Sequence, residues 1–221
     1  MVAENAVELK SERFSVVESR SDHLTKKGQR TRADLIRHAR ESLSELGYQA
    51  TTVTEITRRS GVAIGTFYRY FENKEEVFLL ILQELVNELY TAATGSWKEG
   101  DPFGSLRNST FGYLSAYRVN RRLIAALRDV AGSVPEAAGL WWELRYRTYL
   151  LMERHVYSNE FGGLNPTLAV SALGGMVEQF AYYWFVEGER NGRDLPSLDF
   201  AADTLSRLWY AAEMCLKNEE A

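Results

Sequence analysis

Between Thr51 and Lys74 the chain gathers side chains suited to holding phosphate and touching base edges. Hydroxyls stand at Thr52, Thr54 and Thr66, phenols at Tyr68 and Tyr70, and cations at Arg69 and Lys74. Such groups donate to phosphate oxygens, and none of them forms a pattern that would activate a nucleophile. Ser-His-Asp spacing and a glycine-rich phosphate loop after a strand are both missing from the sequence. His23, His38 and His155 are scattered and Cys215 is single, so neither a zinc ligand set nor a disulfide framework is expected. Glu187 and Glu189 flank a glycine and read as solvated carboxylates rather than an acid/base pair. The expectation is a binding protein, not an enzyme, with no cofactor and no metal.

The elements that must position these groups are short and punctuated. Thr52-Val53-Thr54-Glu55 has the form of a capping box, in which the Thr52 hydroxyl takes the Glu55 amide and the Glu55 carboxylate reaches back. A helix from there to Ser60 is broken by Gly61, and a second short helix follows over Ile64–Phe71. Before them, Leu35, Ile36, Ala39, Leu43 and Leu46 recur at helical spacing, and Gly47 stands at a C-cap position. After them, Asn73-Lys74-Glu75-Glu76 caps a long helix through Val77, Leu80, Ile81, Leu85 and Leu89. This is a helix-turn-helix, whose second helix enters a DNA major groove. Phe67 and Phe71, four apart, should pack inward on Ile56 and Val62, leaving Thr66, Tyr68, Arg69 and Tyr70 at the surface. Gly65 would let backbone come close to a duplex.

The rest of the chain also reads as helices. Pro102 opens one to about Val119, and Arg121–Ala131 is a short one. Another starts near Pro135, Pro166 begins a very apolar helix to Val186 closed by Gly188 and Gly192, and Leu198–Leu216 is the last. The fold class is therefore all-α, with about nine helices. With 45% hydrophobic residues, 25% charged residues and four prolines, the 221-residue chain is neither disordered nor fibrous. Its longest apolar run, Phe180–Val186, is far short of the ~20 residues a membrane span requires, and residues 1–10 lack a secretory h-region. A cytoplasmic location is expected. Charge is divided unevenly: residues 20–74 carry 11 Lys and Arg against 6 Asp and Glu, leaving −9 on the remainder of a chain whose total is −4. One basic end suits a polyanion.

Thr51-Thr52-Val53-Thr54-Glu55-Ile56, Ser60-Gly61-Val62-Ala63, Gly65-Thr66-Phe67-Tyr68-Arg69-Tyr70-Phe71 and Lys74 together strongly resemble the TetR family of bacterial transcriptional regulators, over about Gln29–Leu82. The polar start of the chain, with Gly28 as a break, reads as a flexible arm (1–28), and the resemblance implies a helix-turn-helix DNA-binding domain (29–75) and a ligand-binding and dimerisation domain (76–221). It further implies that Thr52 caps its helix and meets phosphate, and that Thr54 reaches a base. Ile64, Gly65 and Thr66 would enter the groove, Tyr68, Tyr70 and Lys74 would hold phosphates, and Arg69 would touch base or backbone. Ile64 and Ala63 depart from the polar residues usual at their positions, which shifts the expected readout from hydrogen bonds toward DNA shape. Lys26, Lys27, Arg30 and Arg32, placed just before the first helix, could add phosphate contacts.

By the same resemblance the protein is a homodimer, joined through helices 166–186 and 198–216, that binds a palindromic double-stranded DNA operator. A small-molecule effector would release it, most simply as a repressor. Small residues Ala169, Ala172, Gly174 and Gly175, with Leu205, Leu208, Trp209, Ala212 and Cys215, suit a helical interface. Tyr113, Tyr117, Trp141, Arg145, Tyr149, Glu178, Phe180 and Trp184 could line a mostly apolar pocket for an apolar or aromatic ligand. The competing reading is a ligand-independent helical DNA-binding or interaction module with little sequence specificity.

Overall fold

A computed structural model describes residues 24–94, 98, 100–131, 135–139, 142, 146 and 165–218. Among them every regular element is helical: α1 (Lys26–Ala50), α2 (Val53–Ser60), α3 (Ile64–Tyr70), α4 (Lys74–Thr94), α5 (Pro102–Val119), α6 (Arg121–Ala131), α7 (Pro166–Ala181), a π-helical segment (Tyr182–Glu187), α8 (Gly188–Arg190) and α9 (Leu198–Asn218). The protein is all-α. Its compact units are Met1–Ile81 and Leu82–Ala221.

In the first unit, the caps decide where the helices start. Thr25 accepts the Gly28 amide at 3.2 Å, so α1 opens at Lys26, earlier than its apolar pattern suggests. Gly28 lies within the first turn of the helix; it is buried, and a Cβ there would lie 3.5 Å from the Tyr70 hydroxyl oxygen. Lys26, Lys27, Arg30 and Arg32 therefore sit on the first turns of α1 rather than on a preceding arm. Gly47, at φ 76° and ψ 175°, bends the end of α1, and the Thr51 amide and hydroxyl both donate to its carbonyl. Leu46, next to the bend, is exposed although it continues the apolar spacing. Leu35, Ile36, Ala39 and Leu43 are buried with Ile56, Phe67 and Phe71.

In the second unit, α9 packs along α5. Arg107 donates to Asp199 at 3.0 Å, and the Phe103 and Tyr210 rings meet edge-on at 5.4 Å. Asp101 caps α5 with Pro102 in its first turn. The end of α4 lies unusually close to α5, because Ser109 donates to the Ala93 carbonyl and Gly112 faces the Ala92 carbonyl. Arg121 and Arg122 grip Glu189, and Arg190 reaches Asp129 at 3.3 Å, tying α6 to α8. Gly188 does not end its helix: its amide donates to the Tyr183 carbonyl five residues back, the signature of the π segment, and the helix continues to Arg190. Gly192, at φ 65°, follows the actual end.

α4 is long and apolar enough by composition to suit a membrane span. Val77, Phe78, Ile81, Leu82, Leu85, Val86 and Leu89 are instead buried in the protein, which is where a core helix of this composition belongs.

Candidate nucleic-acid interface

Helices α2 and α3 are joined by the three residues Gly61, Val62 and Ala63. Gly61 is left-handed (φ 67°, ψ 28°), a conformation an L side chain resists, and its amide bonds back to the carbonyls of Thr57 and Arg58. That turn redirects the chain so that α3 lies across α2 with Phe67 fully buried. The Phe67 and Phe71 rings stack at 5.3 Å, and the Arg32 guanidinium covers Phe71 at 5.2 Å. Of the inward face predicted from spacing, Phe67, Phe71 and Ile56 are buried while Val62 is only half-buried.

The opposite face of α3 is open. Ile64 is 47% exposed and Tyr68 54%, while Gly65 and Arg69 are also exposed and Thr66 is half-buried. Nothing lies within 4 Å of where a Cβ on Gly65 would be, so the protein's own packing does not require glycine there. Ala63 makes no side-chain cap bond to α3. Tyr70 departs from expectation: it is 7% exposed, because the short helix carries it past the groove face toward the start of α1.

Thr52 and Thr54 are exposed on the first turn of α2. The Thr52 hydroxyl accepts the Glu55 amide at 3.1 Å, which is half of the expected capping box. The other half is not made. Glu55 turns its carboxylate to Arg58, at 2.8 Å from both Nε and Nη2, and to Arg59 at 2.7 Å, while Arg59 also reaches Glu45 at 2.8 Å. These bonds, Arg58 first, pull the Glu55 carboxyl down to about 2. Two guanidinium groups offer charge-assisted bonds, so they outcompete a lone backbone amide for the carboxylate. Arg58 keeps two thirds of its side chain exposed beside Thr54 and is a cation that inspection of the motif passed over. The spacing Glu55, Arg58, Arg59 carried the signal.

Lys74 is already engaged. Its Nζ donates to the Tyr48 carbonyl at 3.0 Å and sits 3.8 Å from the Tyr48 ring centre; burial lowers its pKa. Tyr48 donates in turn to Glu75 at 2.8 Å, and burial followed by that bond pushes the phenol up to about 12. Asn73 caps α4 through the Glu76 amide at 2.8 Å, and the Glu76 carboxylate accepts the Glu72 amide at 2.7 Å.

The pocket candidates fall in the second unit. Trp141, Arg145 and Tyr149 lie outside the described residues. Tyr113 and Tyr117 stand together on α5 with rings 5.7 Å apart, and Phe180 and Trp184 pair at 6.2 Å on α7 and the π segment. Glu178 is half-buried on α7. Tyr117 is 1% exposed, and burial raises its pKa well above the usual phenol range, with Glu178 adding and Arg128 opposing. Arg128, missed from sequence, stacks 3.8 Å from the Tyr182 ring centre. Of the interface candidates, Ala172 and Leu208 are exposed, whereas Leu205 and Trp209 are buried within the chain. Ala169, Gly174, Gly175 and Ala212 are intermediate, and the Cys215 side chain is outside the description.

Residues 35–81 match the sequence model of the bacterial regulatory proteins, tetR family. The HTH-type transcriptional regulator YhgD of Bacillus subtilis is 33% identical over 69 residues, 31% of this chain and 36% of that protein. HbdR of Aromatoleum, also an HTH-type transcriptional regulator, is 24% identical over 156 residues, covering 69% of this chain and 68% of its own length. The chain thus spans about a third of the one relative and two thirds of the other. A tetR-family regulator from Streptomyces coelicolor superposes with a TM-score of 0.71 at 19% identity, covering 83% of this chain and 80% of that one.

Proposed function

Because the chain belongs to the TetR family of transcriptional regulators, we propose that it is a ligand-responsive repressor that binds a palindromic operator as a homodimer in the cytoplasm and leaves it when a small apolar effector binds. The observation that carries this reading is the division of α3 into a buried face at Phe67 and an open face of Ile64, Gly65, Tyr68 and Arg69. A structural helix has no use for two large exposed apolar or aromatic side chains around an uncrowded glycine. A helix that lies in a major groove does.

In this reading Ile64 meets thymine methyl groups, Tyr68 and Thr52 bind phosphates, and Arg69 and Thr54 reach bases or backbone. Lys74 exchanges its Tyr48 carbonyl for a phosphate, and Tyr70 supports α3 from behind rather than touching DNA. The exposed apolar residues Leu168 on α7 and Phe200, Leu208 and Met214 on α9 are the surface on which a second copy would pack. In a two-fold dimer the two α3 helices must enter successive major grooves about 34 Å apart. An effector that favours another spacing lowers DNA affinity by linkage, and the operator lowers effector affinity by the same factor.

The test is selection of bound sequences from a random DNA pool by the purified full-length protein at near-physiological salt, with sedimentation of the complex. An enriched inverted repeat bound by two copies supports the reading. A monomer, or a pool that stays random, overturns it in favour of a low-specificity helical module.

A further inference from the structure

We propose that Tyr117 and Arg128 form the polar anchor of an effector site that takes an uncharged, apolar molecule carrying one acceptor oxygen, such as a ketone, quinone or ester carbonyl. This rests on the ligand-responsive reading above and names the class of ligand.

The Tyr117 hydroxyl and the Arg128 Nη1 are both buried, and neither has a hydrogen-bond partner in the protein. Buried polar groups are nearly always paired, so two orphans on neighbouring helices α5 and α6 mark a place where something else completes the bonding. The guanidinium lies close enough to the phenol to pull its pKa down both by charge and as a hydrogen-bond donor, but their contact is too poor in geometry to satisfy either group. Arg128 can only donate, and the phenol, even where its oxygen accepts from Arg128, still has a proton to donate. Burial keeps the phenol protonated, and a guanidinium cannot accept. The missing partner is therefore an acceptor, and one oxygen placed between them can take both bonds.

Charge narrows the class further. The charges acting on Tyr117 include an anion, Glu178, as well as the cation Arg128. A carboxylate ligand would meet Glu178 as well as Arg128 and would have to shed its own hydration. A carbonyl brings acceptor capacity with no net charge. The neighbouring ring of Tyr113, 5.7 Å from Tyr117, supplies apolar surface. The anchor is also held in place. Arg128 lies flat on Tyr182, the first residue of the π segment, and π insertions persist in helices chiefly where function needs them.

The experiment is isothermal titration of the full-length protein, freed of small molecules, with three probes of one shape: 2-acetylnaphthalene, 2-ethylnaphthalene and 2-naphthoate. The ketone is expected to bind about tenfold tighter than the hydrocarbon, the preference that hydrogen bonds to otherwise unpaired buried donors confer, and tighter than the acid. In Tyr117→Phe the hydrocarbon affinity should persist while the ketone preference falls to about twofold or less. Arg128→Met, checked for folding by circular dichroism, should lose the preference too; if it does not fold, Tyr117→Phe decides alone. Equal binding of ketone and hydrocarbon, tighter binding of the acid, no ketone binding, or a preference that survives Tyr117→Phe would each overturn the proposal. Operator selection is scored separately, so a protein that selects DNA but fails these titrations loses the anchor and keeps its function. One that prefers the ketone but selects no DNA does the reverse.

Discussion

Replacing Tyr117 by Phe should make the ligand-free protein more stable, although it deletes a polar group that a regulator would use. The ring stays in place: Tyr117 is 1% exposed on α5, against Tyr113, and phenylalanine fills the same volume less one oxygen. What disappears is a buried hydroxyl with no partner in the protein. Leaving a hydroxyl unpaired costs about 1–3 kcal/mol, while a satisfied one contributes only about 1 kcal/mol net, so the sign of the change reports which state the hydroxyl is in. An unpaired hydroxyl predicts a gain of about 1 kcal/mol. With an unfolding entropy of ~2.1 cal/mol/K per residue, the 221-residue chain sums to ~0.46 kcal/mol/K, and the gain appears as a rise in Tm of about 2 °C. Urea unfolding monitored by far-ultraviolet circular dichroism, together with calorimetry on ligand-free protein, measures both quantities. A loss of about 1 kcal/mol would refute the reasoning, since it would mean that the hydroxyl is already bonded, by Arg128 or by a held water. Stability gained where binding is lost is the usual exchange at a site kept ready for a ligand.

Other substitutions probe separate parts of the molecule. Gly112→Ala would place a Cβ 2.1 Å from the Ala92 carbonyl oxygen. The ~1 kcal/mol helix preference for alanine is outweighed by the overpacking, giving a net loss of about 1–2 kcal/mol by urea unfolding; a gain would show that α4 and α5 can separate freely. Glu55, drawn down to about 2 by Arg58 and Arg59, favours the folded helix-turn-helix above its unfolded pKa of roughly 4.3. That contribution is lost as pH falls from there toward 2, so the acid-unfolding curve should shift and flatten in Glu55→Gln, and an unchanged curve would remove the clamp from the account. Lys26→Ala and Lys27→Ala, on the first turn of α1, should each lower the salt dependence of operator binding by about 0.9 if they meet phosphate, as filter binding across a salt series would show. An unchanged slope excludes them from the interface.

What could be read from the sequence was whatever is local. The helix starts at Thr52 and Asn73, the break at Gly61 and the buried pair Phe67 and Phe71 depend on residues within a few positions of one another, and they stand where their spacing predicts, with only the return half of the Thr52 capping box unmade. Competition was less legible. Glu55 had an amide and two arginines to choose from, and Lys74 a backbone carbonyl and a ring, and only three-dimensional distances rank such partners. Tyr70 went inward as the last residue of α3, where the helical wheel that places Tyr68 outside no longer settles direction. In the second unit, Arg128 follows an apolar stretch and reads as the solvated edge of α6. Its neighbours Tyr117 and Tyr182 are 11 and 54 positions away, and no periodicity connects them. The π segment left no mark because its apolar residues satisfy either helical period.

The π segment also bears on how this chain is compared with others. Between Tyr182 and Glu187 the helix holds one residue more than an α-helix of the same rise, and the surplus is absorbed locally while Gly188 and Glu189 resume α geometry. Removing one residue there would return the stretch to α form and leave Glu189 facing Arg121 as before. A relative that lacks the insertion would therefore have the same clamp one position earlier in its numbering. An alignment that forbids gaps inside helices would mismatch the residues from the insertion to the end of α8, and regain register only in the loop before α9.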